Sequence, residues 1–534
     1  MKRYYLPVFF SFFFILSHAQ LFVQQWASCK DEPNTLINTT HITTDRFGNT
    51  YMAGTEKDIF ESGFPPHMFI LKINAAGSFS WKKYYNELKD SSDEVKGIAT
   101  DAQGNVYLTG SRMQVGGCDV CPDYAIKDMF TTKYAPNGNI IWRNRYAVGE
   151  FKLGSPSEIK VTTNGYSLVT GYYKEYSSAF ASFNYTMTAL LYGPEGKLIN
   201  SVLAPNIIAY SGAVDKQLNL IVAGEEIVSN VTKPVVAKFN KNGNLLWKTI
   251  LDESNRKGTF YNVFTDKDGE IYANGQANNV NFAQPNIVTA KYDKNGIQLW
   301  KRSEINRTFT GKGSFGDYEV DAFGNSYICG YQDYGGTDRD WLTMRYDKNG
   351  VKKWSKVFVD PVMFGNYPQD IELTKDGRLL VSGNGTPSAP FVYSYNTIMY
   401  DTTGTQLWQS YYSVSPGQNS LSVGARMDAA GNIYVGGSGV CVVKYKPNTS
   451  NASAQHTAVS WRLTPNPAFN YITISGKNIL SYTIVNTFGM ALKKGVLPSN
   501  EASHNIDISP LKAGTYFIEI ETLNGRDKKS FQKL

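Results

Sequence analysis

Residues 98–110, IATDAQGNVYLTG, followed by residues 131–142, TTKYAPNGNIIW, make a two-part phrase that recurs along the chain. Aligned on its closing glycine, the first part places Asp, Gly, Asn, Tyr and Gly at offsets 0, 3, 4, 6 and 9. Copies start at Asp45, Asp101, Thr162, Asp215, Asp266, Asp321, Thr374 and Asp428, and close at Gly54, Gly110, Gly171, Gly224, Gly275, Gly330, Gly383 and Gly437. That makes eight copies, 51 to 61 residues apart. The second part runs Lys, aromatic, three residues, Gly, three residues, Trp, and its tryptophans are Trp81, Trp142, Trp247, Trp300, Trp354 and Trp408, with Asn200 in the third copy. The eighth copy reaches Lys444 and Tyr445 and has no tryptophan strand, whereas LFVQQWA at 21–27 precedes the first copy with nothing of its own to pair with.

Each unit predicts four strands: one ending at the Asp, one carrying the Tyr, one carrying Lys and an aromatic, and an outer one carrying the Trp. Gly and Asn permit the positive φ of hairpin turns, and the Asp or Asn side chain caps them. A lone four-stranded sheet leaves its faces uncovered, but in a radial arrangement each sheet covers the next. The expected fold class is therefore all-β: an eight-bladed β-propeller over residues 20–446. An open ring would expose two sheet edges, so residues 21–27 are expected to close the last blade as its outer strand. The tryptophans fill the gaps between blades, each worth about 3–5 kcal/mol against alanine where fully buried. This repeat resembles the short bacterial propeller repeats of secreted proteins. Its glycine-to-tryptophan spacing is also similar to the tryptophan-docking repeat of quinoprotein dehydrogenases.

Composition agrees with many short strands: aromatics are 14 % of the 534 residues, charged residues only 19 %, and Gly numbers 47. The net charge of +7 is concentrated at the ends. Lys2 and Arg3 carry two charges, residues 461–534 hold nine Lys or Arg against five Asp or Glu, and the middle is near neutral. No basic stripe suits a nucleic-acid partner.

Residues 1–19, MKRYYLPVFFSFFFILSHA, have the basic start, apolar run and small terminal residues of a secretory signal peptide. No other apolar run reaches membrane length, so no integral membrane segment is expected in the mature chain. Residues 447–460, PNTSNASAQHTAVS, have linker composition. Residues 461–534 then alternate polar and apolar over short runs, which predicts a small immunoglobulin-like β-sandwich. This segment resembles the C-terminal sorting domain of type IX secretion cargo through Pro465-Asn466-Pro467, the turn ending at Gly489, Ile506-Asp507-Ile508-Ser509, Gly514-Thr515-Tyr516 and the basic tail at Lys533. The resemblance implies the type IX machinery as a partner and a secreted or surface-attached product of a Gram-negative bacterium, exported through periplasm and outer membrane.

Five cysteines follow the signal. Counting along the hairpin of a complete unit, with Trp247 opposite Ala237, Cys29 falls at the place of Ile250 and Cys441 at that of Val235, so a disulfide between them would staple the latch. Cys118 and Cys121, in GGCDVCPDY, suit a local disulfide, with a redox pair or half a zinc site as alternatives. Cys329 reads as a buried thiol.

Only His41 and His67 lie in the propeller, which argues against metal–histidine or Ser-His-Asp chemistry, and neither a cofactor nor a metal is expected. The recurring Asp reads as a turn cap, since calcium asks for six to eight oxygens. The two uniform turns of every blade share one face, which leaves the irregular connections on the other. These are rich in aromatics, and the candidate ligand-binding residues are Tyr172, Tyr173, Tyr176, Tyr331, Tyr334 and Trp341 with Asp338 and Asp340. The leading expectation is a non-catalytic scaffold that binds an extracellular protein or glycan. The alternatives are a polysaccharide hydrolase or lyase, which needs convergent carboxylates, a quinoprotein-like enzyme, and a structural surface component.

Overall fold

The computed structural model describes residues 21–30, 35–58, 60, 66–85, 93–114, 126–147, 149, 152–177, 182–251, 257–278, 285–304, 307–308, 317–333, 339–359, 367–374, 376–385, 393–414, 420–448, 461–476, 479–486, 491–497, 503–522 and 525–534. Every regular element among them is a β-strand. Phe22–Lys446 forms one compact unit, and Pro447–Leu534 belongs to a second. Residues 1–19, most of the segment 447–460, and Cys118 and Cys121 lie outside the described residues.

In the larger unit the phrase becomes antiparallel meanders that together make a β-propeller. The first sheet is Thr35–Thr44, Thr50–Asp58, His67–Ile73 and Phe79–Tyr84, hydrogen-bonded in that order. Later sheets repeat it, with innermost strands Glu94–Thr100, Lys152–Val161, Ile207–Val214, Gly258–Thr265, Asp317–Val320, Tyr367–Leu373 and Ser422–Met427. Each innermost strand packs against the next, and Ser422–Met427 packs against Thr35–Thr44. The last sheet draws on both ends of the unit, in the order Phe22–Cys29, Cys441–Pro447, Ile433–Gly437, Ser422–Met427. A disulfide joins Cys29 to Cys441.

One side chain carries the chemistry of each turn, as the first turn of the second sheet illustrates. Asp101 Oδ1 accepts the backbone N–H groups of Gln103 and Asn105, while Oδ2 accepts from Asn105 Nδ2 and from the Tyr107 hydroxyl at 3.2 Å. Burial alone would raise its carboxyl, but the Asn105 bonds and the Lys133 ammonium at 3.1 Å outweigh this and hold it below the usual range. The asparagine bonds recur at Asp45, Asp215, Asp321 and Asp428, and the tyrosine bond at all of these but Asp215, where Ile221 stands.

The second part of the phrase joins one sheet to the next. Trp81 donates its indole N–H to the Pro136 carbonyl at 3.1 Å, in the hairpin turn of the following sheet. Trp142, Trp247, Trp300 and Trp354 do the same to Pro194, Lys294, Lys348 and Thr402, each at 3.0 Å. Lys72 reaches the Pro136 carbonyl as well, at 2.9 Å. The indole fits because the turn residue above it is Gly138 at φ 85°, where a Cβ would stand against the Trp81 ring. In the third sheet Asn200 makes a longer bond, 3.3 Å, to the Asn240 carbonyl. At the end of the series Trp26, from the N-terminal strand, lies against Gly77 of the first sheet, and Lys444 donates to the Ala75 carbonyl at 2.9 Å.

The closing glycine has a different cause. Opposite it the innermost strand carries a β-bulge, between Thr39 and His41, Val95 and Gly97, Pro156 and Glu158, Ala209 and Ser211, Phe260 and Asn262, Pro368 and Asp370, and Ser422 and Gly424. The bulge presses a carbonyl into the space that a side chain would need. A Cβ at Gly54, Gly224 or Gly275 would overlap the carbonyl oxygen of Asn38, Ile208 or Thr259.

One register differs from expectation. Trp247 stands opposite Lys238 and not Ala237, because the outer strand holds an extra residue beside Lys238 and Phe239. Val235 and Ile250 are direct partners, and these are the positions equivalent to Cys441 and Cys29.

The smaller unit has a three-stranded sheet, Trp461–Thr464, Tyr471–Gly476 and Ser503–Asp507, and a four-stranded one, Ala491–Val496, Ile479–Asn486, Gly514–Thr522 and Gly525–Lys533. Both contribute to one core, in which Trp461, Ile472, Ile474, Ile484, Ile506, Ile518 and Phe531 are buried. Asn466, in the Pro465-Asn466-Pro467 motif, ties the last strand by accepting from Gln532 N and donating to the Ser530 carbonyl. Tyr516 stacks on Phe531, and Lys533 pairs with Gly514. Gly489 lies outside the described residues.

Two outcomes follow for stability. Trp300→Ala, at a site 9 % exposed, should lower urea-unfolding stability by about 3–5 kcal/mol, and Trp300→Phe by less. Cys29→Ser opens a loop of 412 residues and should cost about 4 kcal/mol, with the N-terminal strand becoming the first site of limited proteolysis.

Candidate functional site

The tryptophan and aspartate bonds occupy the face that carries the uniform hairpin turns. The opposite face is formed by strand ends beyond the closing glycines. There the strands run further than the phrase suggests. Ser167–Ser177 includes Tyr172, Tyr173 and Tyr176, Ser326–Asp333 includes Tyr331, and Arg339–Tyr346 includes Asp340 and Trp341. These residues belong to strands and not to loops, which alters what they are free to do.

Trp341 is 1 % exposed, lies edge-on to Phe358 and donates to the Asn384 carbonyl at 3.2 Å. It fills the gap between two sheets and offers no platform to a ligand. Tyr331 is 7 % exposed and stands perpendicular to Tyr367, and Asp340 is buried too. These three are corrections to the expected site: Tyr331 and Trp341 are cross-strand partners on one face of their sheet, Asp340 lies on the other, and all are covered. Tyr334 and Asp338 lie outside the described residues. Tyr173 remains half-buried, with the Lys152 ammonium 4.7 Å from its ring centre.

Tyr172 is the expected residue that the fold brings into company. Its ring centre lies 5.9 Å from that of Tyr185 on the adjoining strand, and the Tyr210 phenol is pushed up by burial first, then by Glu225, Tyr261 and Tyr172. Tyr210 and Tyr261 lie edge to face, 5.3 Å apart, on the innermost strands of successive sheets. The Tyr210 hydroxyl donates to Glu225 Oε1 at 3.5 Å, Thr259 donates to Glu225 Oε2, and Gln276 donates to the Tyr261 hydroxyl at 2.9 Å. Burial raises the Glu225 carboxyl, and the bonds from Thr259 and Tyr210 offset this only in part. Tyr185, Tyr210, Tyr261 and Glu225 escaped the sequence reading. The signal was available all the same: Tyr210 and Tyr261 each follow the residue opposite a closing glycine, and Glu225 follows Gly224.

Two other places have a different character. A cavity of about 370 Å³ beside the first sheet is lined by Thr35, Glu56, Asp58, His67 and Tyr84, but Glu56 is engaged by Lys82, and Asp58 accepts from Phe60 N. Between the last two sheets Arg426 donates to Asp370 and lies 3.5 Å from Glu372, one guanidinium held between two carboxylates. Among the described residues, no set of three or more His, Cys, Asp or Glu is placed to hold a metal ion.

Comparison with known proteins assigns the second unit. Residues 462–533 match the secretion system C-terminal sorting domain. Such a tail directs secretion or surface attachment by the type IX system. No curated protein matches the chain. Among solved structures, the chain is similar to the Dos1 propeller, with 10 % identity and a TM-score of 0.47 over 80 % of this chain and 96 % of that one. It is similar to a protein of unknown function from Dyadobacter fermentans, with 9 % identity and a TM-score of 0.39 over 80 % and 100 %. It is also similar to PorZ, a surface component of the type IX secretion system of Porphyromonas gingivalis, with 10 % identity and a TM-score of 0.23 over 93 % and 86 %.

Because the Glu225 carboxyl titrates above its ordinary value in the folded protein, the native state holds that proton more tightly than the unfolded one. Stability therefore falls as pH rises from the unfolded value through the folded one. Glu225→Gln should melt at a higher temperature than the parent at pH 7, and the two melting curves should converge at pH 4.

Proposed function

We propose that this protein is an exported, non-catalytic binding scaffold. Its signal peptide is residues 1–19, residues 20–446 form a closed eight-bladed propeller latched by the N-terminal strand, residues 447–460 are a linker, and residues 461–534 are an immunoglobulin-like sorting sandwich. Closure is supported by the series of packed innermost strands, which returns from Ser422–Met427 to Thr35–Thr44, and by the position of Trp26 against Gly77. Export is supported by the match of residues 462–533 to the sorting domain.

One observation carries the binding reading. The bonds repeated between sheets lie on the uniform-turn face, whereas the opposite face holds a non-repeating group of tyrosines around an acid. Those residues are not required by the repeat, since equivalent positions elsewhere hold Thr40, Lys96 and Ser157. A protein or glycan outside the cell is the partner that this location allows.

The test is photo-crosslinking on living cells of the producing bacterium. A crosslinking amino acid at Phe60, 75 % exposed beyond the second strand, should capture a partner, and one at Phe323, 81 % exposed in a uniform turn, should not. Capture from position 323 alone, or from neither position, would overturn the scaffold reading. Truncation after residue 460 should leave the chain in the periplasm.

A further inference from the structure

The innermost strands repeat a backbone device whose side chains do not repeat. At each described bulge one extra residue is inserted opposite a closing glycine: Thr40, Lys96, Ser157, Tyr210, Tyr261, Gln369 and Val423. A second set follows the glycines directly, and in the third, fourth and fifth sheets it is Tyr172, Glu225 and Gln276. The two sets meet. Glu225 touches Tyr210 of its own sheet and Thr259 of the next, Gln276 bonds to Tyr261, and Tyr210 meets Tyr261 across the gap between sheets.

We propose that Tyr172, Tyr185, Tyr210 and Tyr261, gathered around the Glu225 carboxylate, bind an organic cation, an alkylammonium or guanidinium group. The inference rests on the reading that this face binds a partner, and it names the partner's chemistry. Three observations carry it. Aromatic faces are negative and attract such cations, the more strongly where water is excluded, and these rings are half-buried. Glu225 is a half-buried carboxylate whose partners are two hydroxyls, and among the described residues none is cationic. By contrast, Asp101, Asp370 and Glu56 each face a Lys or Arg. The fold itself asks for none of this, because the place of Glu225 is taken by Thr55 and Ser111 in the first two sheets. A neutral sugar would stack on the rings but would leave the acid uncompensated.

Isothermal titration calorimetry on the purified full chain tests this with tetramethylammonium, n-butylammonium, n-propylguanidinium and tert-butanol, the neutral counterpart of the first. The expected result is that at least one cation binds about tenfold tighter than tert-butanol. Strongest binding of guanidinium or butylammonium would identify an arginine or lysine side chain as the natural ligand, and strongest binding of tetramethylammonium a methylated ammonium. Glu225→Gln should weaken the cations about tenfold and leave tert-butanol unchanged, whereas Tyr261→Phe, which keeps the ring, should stay within about twofold. A check on the unmutated chain needs no variant to fold. Cation affinity should decline on acidification once Glu225 takes up its proton, because the other titrating groups that face it, Tyr185, Tyr210 and Tyr261, stay neutral there. Cations that bind no tighter than tert-butanol, or affinity indifferent to both Glu225→Gln and acid, would overturn the proposal. Capture from position 60 would in that case still stand, so loss of this site is distinguishable from loss of the scaffold reading.

Discussion

Each sheet is held to its successor through one backbone carbonyl. That oxygen sits in the third-to-fourth-strand turn, and in the first sheet pair it receives the indole N–H of Trp81 and the ammonium of Lys72 together. The contact needs a glycine at positive φ beneath the indole, an aspartate or asparagine to hold the turn, and a tryptophan one residue past an outer-strand bulge. These three requirements are the second half of the recurring phrase. Where one is missing the effect is local. Asn200 bonds at 3.3 Å to the carbonyl one residue earlier in the turn, that of Asn240. Trp408 faces a sheet whose outer strand arrives from the far end of the chain and so has no such turn; its N–H is unpartnered among the described residues, and Phe22 packs on it at 5.3 Å.

Structural duty is thereby gathered on one face. The other face inherits rigid strand ends and few constraints on side chains. The bulge and its facing glycine keep the backbone constant there, so the inserted residue changes from Ser157 to Tyr210 without disturbing the ladder. Glu225 illustrates what such freedom permits: a half-buried carboxylate that costs stability, where a threonine or serine serves in other sheets.

The phrase made the sheets, their strand order, the capping aspartates and the tryptophan contacts legible, because turn chemistry and strand alternation are local and repeat eight times. The N-terminal strand was legible as an unpaired remainder. The site was harder to read. Aromatics after the closing glycines looked like loop residues, but the strands continue past the glycine, and the neighbour then decides exposure: Tyr331 is covered beside Tyr367, while Tyr172, at the equivalent position, stays half-buried beside Tyr185. The bulge was invisible for a related reason. It changes register by one residue in the innermost strand, where no turn signal marks it, and its only trace in the sequence is a glycine in extended backbone that needs no special φ.

The pairing of Phe22–Cys29 with Cys441–Pro447 also imposes an order of events. Its two strands are separated by almost the whole of the larger unit, so the chain must be made nearly to its sorting signal before they can meet. Long-range pairing of this kind is slow relative to the local hairpins, which form from adjacent residues. Completion of the last sheet is thus coupled to synthesis of the segment just ahead of residues 462–533. A chain interrupted before Cys441 would carry neither a finished last sheet nor an address, and the export route would meet the tail only on molecules able to complete it.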